Sequence, residues 1–165
     1  MKQITKIFLV SIFITSCGIY SFTGASIPSE AKTVSVAYFK TKATNAPSLL
    51  NQIITEGLKD LFLAETSLNL TEYSGDLNFS GEIIKYQIKP IAIQANETAS
   101  QNRLTITIKV KYENNFFEEQ NFESTFSRYR DFDSSKNLED VEDLLIEEIM
   151  SELMEDVFNK AFVNW

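Results

Sequence analysis

Residues 103 to 112 read R-L-T-I-T-I-K-V-K-Y. Leu104, Ile106, Ile108, Val110 and Tyr112 alternate with Arg103, Thr105, Thr107, Lys109 and Lys111. Successive side chains of a β-strand point to opposite faces, so this segment is a strand with one dry side and one wet side. A sheet built around it is covered on one face and open on the other, as antiparallel sheets commonly are. The rest of the chain must supply the cover.

Two segments have the period for it. Leu49, Leu50, Ile53, Ile54, Leu58, Leu61 and Phe62 recur at helical spacing after Asn45-Ala-Pro47, which reads as a helix start. Gly57 lies on that stripe and permits close approach to the sheet. From Asn137 to Phe162 a second amphipathic helix carries Leu138, Val141, Leu145, Ile149, Leu153, Val157 and Ala161 inward, with acids crowded on its outer face. Strands are expected over Thr33 to Phe39, over Asp76 to Lys89 (closed by Pro90, with a bulge or bend at Gly81) and over Phe117 to Tyr129, where Phe122 and Phe126 face inward. The order is β-α-β-β-β-α. A right-handed crossover makes the first two strands parallel, and turns make the remaining pairs antiparallel. The fold class is therefore α+β, a two-layer sandwich of a four-stranded mixed sheet with two helices on one face.

Upstream of this unit, residues 7 to 19 read I-F-L-V-S-I-F-I-T-S-C-G-I and hold the single cysteine, Cys17. Lys2 and Lys6 precede an apolar run far shorter than the roughly 20 residues a membrane-spanning helix needs, so the segment reads as an export signal. Ile14-Thr15-Ser16-Cys17 resembles the lipobox of bacterial lipoproteins. That resemblance implies cleavage before Cys17, a diacylglycerol on its sulfur and an acyl chain on its new amine. Gly18, where an Asp would retain many such proteins at the inner membrane, favours the outer membrane, and residues 18 to 24, without the acidic cluster that resembles a surface-export signal, favour its periplasmic side. The expected divisions are a signal peptide at 1–16, an acylated tether at 17–32 and one α+β domain at 33–165.

Composition narrows the function. The formal charge is −8, and removal of Lys2 and Lys6 with the signal leaves 13 basic against 23 acidic residues, a net −10. Such acidity argues against nucleic acid as a partner. There is no histidine, which excludes Ser-His-Asp and Cys-His catalysis and histidine zinc sites. Glu56 and Asp60, four apart, read as solvated helix surface. Asp131 to Ser135 with Glu142 loosely follows a calcium loop, but Lys136 stands where that turn requires glycine, and helix capping by Ser134-Ser135 accounts for the pattern. No catalysis, no metal and no cofactor beyond the acyl groups on Cys17 are expected.

The open face of the sheet is the informative surface. Lys85, Gln87 and Lys89 have the parity opposite to Ile84, Tyr86 and Ile88, and Arg103, Lys109 and Lys111 lie on the wet side of the next strand. Five cations thus project from one face of an acidic protein. Two readings stand beside each other: a solvated strand face guarded against aggregation, or a binding surface for anionic groups such as lipid phosphates or an acidic protein wall.

Four stretches carry a family resemblance: C-G-I-Y-S-F-T-G-A-S-I-P at 17–28, Gly75-Asp76-Leu77 with Gly81, N-R-L-T-I at 102–106, and F-N-K-A-F-V-N-W at 158–165. Together they resemble the Bacteroidetes branch of the LptE lipoproteins of lipopolysaccharide assembly. The resemblance implies a non-catalytic plug inside the LptD outer-membrane barrel, aiding its assembly and the delivery of lipopolysaccharide to the outer leaflet. It also implies lipopolysaccharide binding through basic residues, which at net −10 must be confined to the Lys85, Lys89, Arg103, Lys109 and Lys111 face or be minor, since like charges repel within about a Debye length. The alternative is a periplasmic lipoprotein serving another outer-membrane machine as a pilotin or accessory subunit.

Overall fold

The computed structural model describes residues 27–91 and 101–163. The expectations for the signal, Cys17, most of the tether, the loop at 92–100 and the last two residues fall outside them. The described elements are β1 (Thr33–Val36), β2 (Lys40–Thr41), α1 (Leu49–Glu65), β3 (Asn69–Thr71), β4 (Leu77–Ile91), β5 (Gln101–Asn114), β6 (Phe122–Asp133) and α2 (Glu142–Phe162), with short 3₁₀ turns at Glu118–Gln120 and Leu138–Asp140. The fold is α+β, a mixed sheet with two helices, as the alternation in β5 implies.

The sheet has six strands, not four, in the order β3-β1-β4-β5-β6, with β2 also paired to β4. β1 runs parallel to β3 and β4, and β4, β5 and β6 are antiparallel. The two additional strands, β2 and β3, span two and three residues. Neither is long enough to show a period, so alternation could not reveal them.

The central strand behaves as its sequence requires. Leu104, Ile106, Ile108 and Val110 are fully buried and Tyr112 nearly so. β4 is less regular. Leu77, Phe79 and Ile83 are buried, yet Tyr86 packs against the core one position out of phase with them. The register with β5 shifts between Ile83 and Lys85, a β-bulge that leaves Ile84 39% exposed and reverses the parity of everything after it. The bulge sits at the Ile83-Ile84 doublet, not at Gly81. Gly81 serves a different need, because a Cβ there would lie 2.4 Å from the ring of Phe39 and 2.6 Å from the carbonyl oxygen of Lys109.

Helix α1 starts later than expected. Asn45 has φ 63°, a left-handed conformation that ends rather than begins helical geometry, and the helix begins at Leu49. Leu50, Ile54, Leu58 and Phe62 are its buried face, while Leu49 is 55% exposed. Gly57 meets Met154 of α2, not the sheet. Helix α2 begins at Glu142, without a side-chain cap, after a 3₁₀ turn that takes up Leu138. Nor do Ser134-Ser135 cap it: the Ser135 N–H donates to Asp133 Oδ1 at 2.8 Å and closes the turn that ends β6, seven residues before the helix begins at Glu142. Pro90 lies within β4, whose end runs to Ile91. The C-terminal part of α2 closes the core, Phe162 packing edge-on against Phe62, Phe79 and Tyr112 with centroids 5.7–6.2 Å apart.

Candidate functional site

The open face is assembled by β4, β5 and β6. Residues paired across neighbouring strands share a face, and the register places Lys89 opposite Arg103 and Arg103 opposite Asp131. Lys85 pairs with Thr107, Lys109 with Glu82 and Thr125, and Lys111 with Ser80 and Glu123. Because Thr107 and Lys109 flank the buried Ile108, all five expected cations lie on the side away from the core. For Lys85 and Lys89 this holds only through the bulge at Ile84: in unbroken alternation they would share the buried side of Leu77, Phe79 and Ile83.

The five are not equivalent. Arg103 donates from Nε and Nη2 to both carboxylate oxygens of Asp131, at 2.7 and 2.8 Å, and its guanidinium lies 3.7 Å from the centroid of the Tyr129 ring. This hydrogen bonding raises the Arg103 pKa and lowers that of Asp131. Lys109 pairs with Glu123, whose hydrogen bond raises the lysine pKa and lowers that of the acid. Lys111 reaches Glu113 at 2.7 Å. The face is therefore not a block of unopposed positive charge. Among the described residues, Lys85 and Lys89 alone of the five have no anionic partner.

Beside Lys109 and Lys111 the face is shaped as well as charged. A shallow depression of about 300 Å³ lies where β1 and β2 are interrupted, bordered by Tyr38, Lys40, Ser80, Glu82, Lys109 and Lys111. Tyr38 is 60% exposed at its rim, and Lys42 holds Glu82 at 2.5 Å. The interruption itself is anchored from behind: Thr55 of α1, buried, accepts the Phe39 N–H at 3.0 Å and donates to the Asn51 carbonyl at 2.6 Å.

The covered side holds an ion-pair cluster that the sequence reading missed. Arg128 donates to both oxygens of Asp156 at 2.7 and 2.6 Å, and Arg130 bridges Glu148 and Glu152, each at 2.6 Å. Arg130 is held well above the ordinary arginine range by those two hydrogen bonds. The signal was present: Arg128 and Arg130 share the parity of the inward Phe126 and Phe132, opposite acids spaced four apart along α2. Two phenols, the half-buried Tyr86 and the buried Tyr112, complete the inner side. Burial, then the hydrogen bond Tyr86 donates to Glu142, raises the Tyr86 pKa, and burial pushes that of Tyr112 up to about 12.

Between α1 and α2 an apolar groove of about 520 Å³ is lined by Leu49, Ile53, Ile146, Met150 and Met154, with Glu142 on its rim. Among the described residues no cluster of three or more metal-ligating side chains occurs, and no described helix is long and apolar enough to cross a membrane.

Residues 31–161 match the LptE family, described as lipopolysaccharide-assembly. No curated protein matches the chain by sequence. Among solved structures, a minor lipoprotein of Acinetobacter baumannii is 12% identical with a TM-score of 0.53, over 79% of this chain and 91% of that one. The hypothetical protein CT253 of Chlamydia trachomatis is 9% identical with a TM-score of 0.51, over 81% and 99%. At such identities the likeness concerns the fold alone.

Proposed function

The chain belongs to the LptE lipopolysaccharide-assembly family, and from that premise we propose that it is an outer-membrane lipoprotein that plugs an LptD-type barrel and supports its assembly. Held by acyl chains on Cys17, it would aid insertion of lipopolysaccharide into the outer leaflet without making or breaking bonds. The observation that carries this reading is the family match over residues 31–161, on a sandwich whose helices leave one sheet face open. That face supplies Lys85, Lys89, Arg103, Lys109 and Lys111 as candidate contacts for the barrel wall or for lipid phosphates. Since three of them are already neutralised by neighbouring acids, protein contact is the principal role and direct lipid contact the lesser one.

The experiment is affinity recovery of the tagged full-length chain from detergent-solubilised outer membrane. Stoichiometric recovery of an LptD-type barrel supports the proposal. Recovery of a secretin instead would favour the pilotin alternative, and recovery of no barrel at all would end the plug reading.

A further inference from the structure

We propose that the edge of β4 beyond Ile83 is a seam for strand addition by an extended, carboxylate-bearing segment of a partner protein. The inference rests on the reading that the open face contacts a protein, and it specifies where and by what chemistry.

β1 pairs with β4 only over Leu77 to Phe79, and β2 only at Glu82 and Ile83. The chain then turns away, with the N–H groups of Lys42 and Ala43 both ending on the Ile83 carbonyl. β5 continues on the other side of β4 to Ile91. From Lys85 to Ile91, therefore, no described strand occupies the outer side of β4; its outward backbone groups are available for a ladder as far as Lys89, and Pro90, which has no N–H to donate, ends it. Strand addition of this kind takes affinity from the main chain and specificity from alternate side chains.

Charge selects the occupant. Lys85 and Lys89 stand on one face of this edge, four residues and about 13 Å apart, and they are the two face cations without an anion among the described residues. On the other side, Ile88 is 37% exposed and would meet apolar residues. A second copy pairing antiparallel through the same edge would set lysine against lysine, which is unfavourable. The other long edge, β6, has no such charge to spare: Glu123 and Asp131 are held by Lys109 and Arg103, and Arg128 and Arg130 by the acids of α2. The partner strand thus carries acids at positions four apart, with β-branched residues between.

The test uses the full-length chain in detergent and a labelled ten-residue peptide of alternating Thr and Val with Glu at two positions four apart. Binding is read by anisotropy and by amide hydrogen exchange. Expected are slowed exchange within residues 85–91, about tenfold weaker binding after Lys85→Glu with Lys89→Glu, and a smaller loss with glutamine at both, which keeps the edge neutral if the glutamates impair folding. Lys59→Glu with Lys136→Glu, the same charge change elsewhere, should leave binding unchanged, and a peptide with its acids three apart should bind more weakly. Absent protection of 85–91, or binding indifferent to both lysines, overturns the proposal. So does lysine-dependent binding of phosphatidylglycerol vesicles that displaces the peptide without amide protection, because the seam would then be a lipid contact. The two readings fail separately: a barrel recovered with no peptide protection removes the seam alone, and protection with no barrel recovered removes the plug alone.

Discussion

Gly57 and Gly81 both sit where a methyl group would collide, but the obstacles differ. At Gly81 the added carbon meets the Lys109 carbonyl, which is backbone within the central strand and cannot retreat. At Gly57 it meets the end of the Met154 side chain, which can rotate. Gly81→Ala should therefore destabilise the fold by about 1–3 kcal/mol. Gly57→Ala should fall within about 1 kcal/mol of the parent, since helix propensity favours alanine by a similar amount. Urea unfolding of both variants decides it, and equal losses would refute the distinction. Asp76 presents a second single-residue case. Its Oδ2 accepts from the Lys32 and Thr33 N–H groups at 2.9 and 3.0 Å and from Thr33 Oγ1 at 2.8 Å, fixing the entry of β1. The Lys32 hydrogen bond is the first cause that lowers its pKa below the ordinary 3.8. A depressed carboxylate contributes stability that is complete above its unfolded pKa and is lost as pH falls through the folded one. Asp76→Asn should thus lower the urea midpoint at pH 7, and its difference from the parent should shrink below pH 3.8. Comparing variant with parent removes the background relief of charge repulsion on acidification. A difference constant down to low pH would rule out the carboxylate as the cause.

Among the elements, α2 shows how ion pairs and apolar packing divide one interface. Leu153, Val157 and Ile149 are fully buried, while Glu148, Glu152 and Asp156 form the adjoining stripe against Arg128 and Arg130. Arg130→Met leaves Glu148 and Glu152 four apart without a cation between them, and like charges at that spacing repel. The thermal midpoint should drop at low salt, and much of the loss should vanish near 1 M salt, where the Debye length is about 3 Å. An equal drop at both salt concentrations would assign the effect to packing of the arginine stem instead. The same interface explains what the sequence made legible. β5 and the two helices announce themselves because each repeats its period over ten or more residues. β2 and β3 do not, being set by their pairing to β4 and β1 and not by any period of their own. The bulge has its sequence signature in the doublet Ile83-Ile84, across which the inward parity changes, and not in the nearby Gly81, whose lack of a side chain answers to Phe39 and the Lys109 carbonyl. For the open face, side-chain parity located all five cations, but most of the pairing was beyond it. Whether a cation is free depends on its acids: Glu123 and Asp131 are brought alongside by β6 and follow from register alone, whereas Glu113 shares a strand and a face with Lys111, two residues away, and was within reach of parity.

For the whole molecule, the proposed anchor bears on which end of the sandwich lies nearer the bilayer. Cys17 precedes Ile27 by ten residues, a span of at most roughly 33–36 Å. The chain then enters the fold beside Asp76, at the end of the sheet where β4 begins and β5 finishes. Tyr73, 93% exposed, and Phe116, 45% exposed, belong to the connections at that same end. The far end of the β4–β5 ladder, with Lys89 and Arg103, lies opposite this entry. If Cys17 is acylated as proposed, the lipid would supply attachment and the open face would be left for lateral contact with protein, which is also what net acidity favours near phosphorylated lipid. One acyl chain holds a protein only marginally and two or three hold it stably, so Cys17→Ala should abolish acylation and signal cleavage together. Mass spectrometry of the parent should find a diacylglycerol thioether on Cys17 as the first residue. The variant should leave the outer-membrane fraction, most completely in cells depleted of the barrel, where no protein contact can retain it. An unmodified cysteine in the parent, or a variant that stays in the outer membrane without the barrel, would remove the anchor and with it the assignment of this end to the bilayer.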